Sequence, residues 1–560
     1  MHLVFRESHG LDETETPTDL GQSPADLVVL SFSDSDLGAF AAGWHRGGGR
    51  DGRLPSLRLA NIAALKHPLS VDTYVEQTLE GAKGILIRLI GGVPYWPYGL
   101  QHIEALACKK GIALAVLPAD GRPDPRLEDI STVPASTLGR LKHFCDTGGA
   151  VAAQAALAQL ALAAGLYAAP VRGAKTLPPV GAWTPEDGVI CLAPTRFGDV
   201  GPLVLVAFYR SYLVSADLAP IEALFEALRQ RGFRVLGLFA PSLKAPGARE
   251  WLEGQVRTLA PAAIVNATSF SGRGGAGSSP LDAAGVPVFQ VALATSTRQA
   301  WSEAERGLSP ADLAMHVVLP EVDGRLFAGV ASFKEPGKRD PDLQFARYVH
   351  APDPHRIAAI ADRVAAWHRL GTTPAADRRV ALVLSTYPGR DWNMAHAVGL
   401  DALASSEAIL DELAGGGHSV DPGPPLHKAL ATEHIHWPMD AYKAALGRLP
   451  KDLRDDLQIT WGAPEDDPDA TPQGFSFAAL TRGNAVVALQ PERGTPKNRD
   501  DEYHDLSRVP RHAYVAFYLW LREQADALVH IGAHGTLEWL PGKAVALSET
   551  CWPEALSGDL

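Results

Sequence analysis

Residues 201–293 contain GPLVLVAFYRSYL (201–213), PIEALFEALRQRG (220–232), FRVLGLFA (233–240), REWLEGQVRTL (249–259), AAIVNATSF (262–270) and PVFQVAL (287–293). This stretch decides the fold. Its short β-rich runs are continuously apolar, without the period-two alternation of a strand that faces water on one side. Such runs belong to strands covered on both faces, hence to a parallel sheet, and the amphipathic stretches between them supply the covering helices. The segment reads as one βαβαβ unit.

The same grammar extends both ways. Upstream, DLVVLSF (26–32), SLRLAN (56–61), GILIRLI (84–90) and IALAVLP (112–118) are expected strands, separated by helical stretches at 71–81 and 98–111. A Pro/Gly-rich stretch at 169–189 reads as a linker or domain edge. Downstream, a polar, proline-broken stretch (334–355) precedes a helix at 356–370. A third unit opens with RRVALVLSTYPGRD (378–391) and continues through AVVALQPERG (485–494), the helix at 512–524 and the strand ALVHI (527–531). The expected class is α/β, with several doubly wound, mainly parallel-sheet domains. The expected boundaries are 1–195, 196–345 and 346–560, the last incomplete at its C-terminal end.

Composition excludes several classes. A net charge of -13, with no basic run, argues against a nucleic-acid binder. Four scattered cysteines form no CxxC pair, so neither a disulfide framework nor a structural zinc site is expected, and a reducing, cytoplasmic setting fits. The N-terminus lacks the basic start and apolar block of a signal peptide. The Ala-rich run at 150–169 reads as a buried helix, so no membrane association is expected.

HIGAHGTLEWLPGK (530–543) concentrates the chemistry. His530, His534 and Glu538 recur every four residues after an apolar run, at a predicted strand end, where ligands gather in open α/β sheets. If GTLEWL begins a helix, His534 and Glu538 share a face. Imidazole plus carboxylate suits a borderline divalent cation such as cobalt or zinc, and either group can take a proton. The same spacing equally serves a His–Glu pair that braces a turn, with His530 satisfied in the core. It is not HExxH. A second candidate, SGRGGAGSS (271–279), follows a strand but places Ser278 where a P-loop needs lysine, and no GxxxxGK[ST] occurs in the chain. A surface loop is the simpler assignment. Polar clusters at 209–211, 266–269, 387–391 and 490–493 suggest a polar cleft with arginines able to hold carboxylates.

HIGAHGTLEWLPGKAVALSETCWPEAL closely resembles the signature of the cobaltochelatase large subunit (CobN) family, which is related to the magnesium chelatase large subunit. The resemblance extends through SDLGAF, IRLIGGVPYWPYG, AFYRSYL, IVNATSFSG, AGVPVFQVALATSTRQAW, LSPADLAMHVVLPEVDGR, NAVVALQPERG and YVAFYLWLRE. It implies insertion of Co2+, as substrate, into hydrogenobyrinic acid a,c-diamide. ATP and Mg2+ would be used by AAA+ partner subunits of the CobS and CobT type and not bound by this chain, in keeping with the missing P-loop. It further implies metal contacts from His530, His534 and Glu538, with Glu538 and His534 catalytic. His530 would be a third ligand or the group that orients His534. Arg390, Gln490, Glu492 and His504 are the expected macrocycle contacts.

Two departures bear on these expectations. The segment after YPGRD is WNMAHAVGLD, unlike the family's glycine/asparagine-rich turn. Family members also run to more than twice this length, so the chain is expected to correspond to an N-terminal portion. A magnesium chelatase subunit, a binding module that only presents the tetrapyrrole, and a stand-alone metal hydrolase are the alternatives.

Overall fold

A computed structural model describes residues 17–89, 91–119, 124–173, 176–190, 201–245, 247–274, 277–385, 396–397, 399–494, 505–532 and 537–560. The chain divides into two compact units, one running to Arg298 and including Pro310–Pro354, the other comprising Gln299–Ser309 and His355–Leu560.

The first unit contains two sheets. The N-terminal one has β1 (Leu27–Ser31), β2 (Leu57–Asn61), β3 (Gly84–Leu89) and β4 (Ala113–Pro118) in the order β2-β1-β3-β4, all parallel. Every residue of β1 and β3 is buried, as continuous apolar runs require. Leu27 and Val29 pack with helices Asp34–Arg46, Ala135–Thr147 and Gly149–Ala163, while Val28 and Leu30 face Pro68–Gln77 and Pro97–Lys110. The Ala-rich segment is the buried helix Gly149–Ala163. Among the described residues no helix is long and apolar enough to cross a membrane.

The second sheet comprises β5 (Gly181–Thr184), β6 (Gly188–Ile190), β7 (Leu203–Tyr209), β8 (Arg234–Ala240), β9 (Ala263–Asn266), β10 (Val288–Leu293), β11 (Leu326–Pro336) and β12 (Tyr348–Pro352). Its order is β12-β11-β10-β9-β7-β8-β5-β6, parallel from β11 to β8 and antiparallel at both edges. The stretch 169–189 is therefore more than a linker: it contributes β5 and the start of β6, with Gly188 at φ +68° serving the turn between them.

The second unit is built on β13 (Val380–Leu384), β16 (His434–Pro438), β17 (Ala470–Thr471), β18 (Gly474–Arg482), β19 (Ala485–Leu489) and β20 (Ala527–Ile531), with a separate two-residue ribbon of β14 (His396–Ala397) and β15 (Leu400–Asp401). The order is β16-β18-β19-β13-β20, with β17 also on β18. Only β19, β13 and β20 are mutually parallel; β18 hairpins onto β19 through Gly483, at φ +59°. Helix His512–Gln524 is buried from His512 through Leu521, and its aromatics form much of this unit's core. A helix apolar all round belongs inside.

Candidate functional site

The parallel trio of the second unit sets the site. Leu384 lies opposite both Leu489 and Ile531, and Val383 opposite His530, so the three strands end level. Gln490 N–H donates to Leu384 O at 3.0 Å and Ser385 N–H to Ile531 O at 3.0 Å, extending the ladder one residue past each strand. Gln490 and His530 thus stand at the carboxyl ends of the two strands that flank β13, at strand ends as the sequence predicts.

Helix His512–Gln524 joins them. The Tyr518 hydroxyl is 2.9 Å from His530 Nε2, with the two rings edge to face at 5.9 Å. Tyr514, one turn earlier, packs on Tyr518 at 5.0 Å between ring centroids, and the two hydroxyls hydrogen-bond. Gln490 Nε2 donates to the Tyr514 hydroxyl at 3.3 Å. Both tyrosines are fully buried. Burial pushes the Tyr518 phenol well above its ordinary value, helped by Tyr514 and by the charge of Glu538, so it stays protonated. Burial also lowers His530, which leaves the imidazole neutral near pH 7. The sequence reading named neither tyrosine; two hydroxyls at i and i+4 in an otherwise apolar helix were the available signal.

The terminal motif follows β20. Glu538 is exposed on a single 3₁₀ turn, Leu537–Trp539, rather than on the helix expected from GTLEWL; Pro541 and Gly542 follow directly. Leu537 and Leu540 face the core, which turns Glu538 outward. Arg493, itself buried, donates to the Trp539 carbonyl oxygen and ties the segment after β19 to this turn. Arg511 N–H donates to Arg493 O, and Arg511 Nε to Glu492 O at 3.1 Å. Gln490–Arg493 and the motif are therefore one assembly, with Glu492 half-buried in it.

The rest of the motif is anchored on the Gln299–Ser309 segment. Ala544 and Val545 donate backbone bonds to Glu305 and Arg306, and Trp301 Nε1 donates to Ala546 O at 3.0 Å. Lys543 Nζ donates to Ser302 O at 2.8 Å and Ala304 O at 3.0 Å, 5.2 Å from the Trp301 ring centre. Cys551 Sγ receives Lys543 N–H and Ser548 N–H, each at 3.3 Å. Lys543 and Cys551 are structural ties.

Arg390, His504 and His534 lie outside the described residues. His530 and Glu538 are the described members of the expected metal set. Among the described residues no three His, Cys, Asp or Glu side chains come together to hold a metal.

Of the other polar clusters, 387–391 lies outside the described residues, while Tyr209 donates its hydroxyl to Ser269 O at 2.6 Å and Asn266 Nδ2 donates to Gln290 Oε1 at 2.7 Å. The glycine-rich loop does cradle a carboxylate, but its own: Ser271 Oγ and Gly272 N–H donate to Asp323 at 2.5 and 2.6 Å. Arg210 donates to the carbonyl oxygens of Pro178, Leu177 and Thr147, so it is committed to the backbone rather than to a ligand carboxylate.

Comparison with known proteins agrees with this architecture. The CobN/Magnesium Chelatase family model matches residues 144–560. The aerobic cobaltochelatase subunit CobN of a Sinorhizobium species is 38% identical over all of this chain and 46% of its own length; that of Pseudomonas aeruginosa is 36% identical over the same shares. The solved catalytic subunit of cobaltochelatase from Mycobacterium tuberculosis superposes with a TM-score of 0.75 at 30% identity, over 95% of this chain and 45% of that one. The chain spans about half the length of the curated relatives it matches, at 46%. It belongs to the CobN/magnesium chelatase family.

Proposed function

We propose that this chain supplies the strand-end site of the large, tetrapyrrole-binding subunit of an ATP-dependent cobaltochelatase, a ligase forming nitrogen–metal bonds in cobalamin biosynthesis. The substrates are Co2+ and hydrogenobyrinic acid a,c-diamide, and AAA+ partners of the CobS and CobT type hydrolyse ATP. The observation that carries this is the match to CobN subunits across the entire chain. The geometry is compatible: a neutral imidazole and an exposed carboxylate flank the carboxyl end of β20.

Insertion replaces two macrocycle N–H protons with one divalent ion that must shed water. Glu538, exposed and so able to meet a substrate, is the proton acceptor or an oxygen ligand; His534 delivers the metal. Gln490 and Glu492, with Arg390 and His504, are assigned to the macrocycle side. A mixed imidazole–carboxylate set favours cobalt over magnesium, which prefers oxygen ligands.

The test is cobalt insertion in the complete assembly with its partners and ATP. Glu538→Gln is expected to lower kcat about 100-fold or more, the range for losing a positioned acid–base group, with corrin affinity retained. A normal rate in both Glu538→Gln and His534→Ala would sink the assignment. Corrin binding by absorbance titration, with no effect of these variants on turnover, would leave the chain a presenting module.

A further inference from the structure

Phe270, four residues past β9, is held in a strained backbone. Its φ is +68°, and among the described residues only Ala216, Ala260, Gln344 and Ala546 share a left-handed backbone without being glycine. A bulky side chain is disfavoured there. Such residues persist where their surroundings over-determine them, characteristically at ligand sites. The surroundings do so here. Gln290 Nε2 donates to Thr268 O at 2.7 Å, and the Tyr209 hydroxyl both donates to Ser269 O and accepts from Ser269 N–H. Phe270 N–H donates to Met315 O at 2.7 Å. Ser271 and Gly272 are held by Asp323, so each residue from Thr268 to Gly272 has a tertiary tie. The strained side chain is nevertheless 38% exposed. A fold that fixes a strained apolar ring and leaves it in water uses that ring for more than its own core.

Its place in the sheet points to a ligand. After β7 the chain passes to the face of helix Ala219–Gln230, where Phe208 and Phe225 both pack on Trp183. After β9 it passes to the other face, where Ala207 clusters with Leu252 and Leu281. Neighbouring strands whose connections leave on opposite faces open a crevice at their carboxyl ends, and ligands of open α/β sheets bind there. Thr268–Gly272 leaves β9 at that crevice, and Tyr209 ends β7 beside it. The helical segment that opens at Pro310 widens to a π turn over Ala314–Val318 and runs on to Glu321; π turns recur at functional sites. The loop is bonded to Met315 at one end of this segment and to Asp323 just past the other. Between these points Val318, Leu319 and Val322, spaced to share one face, are all exposed, Val322 by 59%. With Phe270 they make an apolar ledge. Arg273, half-exposed in the same loop and 3.7 Å from Asp323, adds a cation at its edge. An aromatic ring beside aliphatic side chains, with one cation at the rim, complements a ring system that has apolar faces and a carboxylate-bearing rim. We infer that this ledge of the first unit seats the metal-free corrin, with Phe270 against a ring face and Arg273 set toward a peripheral carboxylate. The seat rests on the tetrapyrrole assignment above and extends it to a unit that carries none of the residues assigned there.

The test is absorbance titration of the full chain with metal-free hydrogenobyrinic acid a,c-diamide. Phe270→Gly removes the ring and suits the left-handed backbone, so it should keep Tm within about 2 °C while weakening corrin binding about tenfold or more. Phe270→Ala loses the same ring but keeps the strain; it should bind as weakly and melt about 2–4 °C below Phe270→Gly. Val322→Ser, on the exposed ledge, should weaken binding about threefold without changing Tm, and it decides the matter should Phe270→Gly not fold. Corrin affinity in Phe270→Gly within about twofold of the unaltered chain overturns the seat and leaves the tetrapyrrole assignment standing. Absence of corrin binding by the unaltered chain overturns both. Retained corrin affinity in Phe270→Gly together with lost cobalt insertion in the complete assembly would make the ledge a docking surface for a partner subunit, and would equally refute the seat.

Discussion

Arg511 immediately precedes the helix that holds both tyrosines, and its guanidinium meets two carboxylates of very different standing. Asp467 is buried with Arg511, their side chains 1% and 3% exposed, and the closest N–O approach is 3.8 Å. Asp469 makes the tighter contact with Arg511 but is 55% exposed. Asp467 Oδ2 also accepts the Ala513 N–H at 3.0 Å, closing the first turn of the helix. By distance Asp469 should matter more. By solvation the order reverses, because an exposed pair is worth about 0–1 kcal/mol whereas removing one partner of a buried pair costs about 3–5 kcal/mol. Arg511 retains Glu492 O and Asp469 after Asp467 is lost, which brings the charge penalty below that range, to about 2 kcal/mol. The lost capping bond adds about 1 kcal/mol.

Asp467→Ala is therefore expected to cost about 3 kcal/mol and Asp469→Ala under about 1 kcal/mol. For a unit of roughly 200 residues this corresponds to about 6–12 °C in Tm against less than about 4 °C. Calorimetry, with amide exchange of His512–Gln524 to localise the effect, measures both. Asp467→Asn separates the parts: it keeps an oxygen for Ala513 and loses only the charge. Equal losses for the two alanine variants, or a greater loss for Asp469→Ala, would show that contact distance rather than burial governs this pair.

Three further outcomes are expected. Gly307 sits at φ +93°, and a Cβ there would come 2.1 Å from Val545 O, so Gly307→Ala should cost about 2–3 kcal/mol and speed exchange at the Ala544 and Val545 amides; unchanged exchange would refute the anchoring role of Gln299–Ser309. Arg493→Met removes the donor to Trp539 O and should loosen the turn carrying Glu538, read as faster exchange of the Leu540 amide and about 1–3 kcal/mol of lost stability. In the first unit, burial first and then Lys334 and His316 push His350 from 6.5 down to about 3. The unfolded chain binds this proton below pH 6.5 and the folded one does not, so stability falls as pH drops through that window, by about 1.4 kcal/mol per pH unit at most. His350→Gln should flatten the denaturant-measured slope between pH 6 and 4; an unchanged slope would assign it to other groups.

The parallel strands were legible because burial on both faces leaves a run such as VALVL or LVVLS no polar positions, a constraint written into single segments. The antiparallel edges were not. Strand β16, HIHWP, buries only Trp437 fully, and β5 with the start of β6 lies inside a stretch punctuated by proline and glycine. Edge strands need little apolar surface, so their pattern resembles that of a loop. The glycine-rich loop shows the same limit for chemistry: its backbone donors are aimed at a carboxylate, as its composition suggests, but the carboxylate is Asp323, some fifty residues on, and nothing local names it.

The site divides along the same line. That Gln490 and His530 stand at strand ends, on either side of β13, follows from two apolar runs and the rule that ligands gather there. That His530 Nε2 meets a buried phenol does not follow, because Tyr518 lies twelve residues earlier in sequence, on a helix whose own position rests on Arg511, Asp467 and a pair of backbone carbonyls. A motif such as HxxxHxxxE specifies side chains able to bind a metal; the burial that its surroundings impose, which lowers His530 and not the exposed Glu538, is set by the packing of the helix beneath it and is written nowhere in the motif.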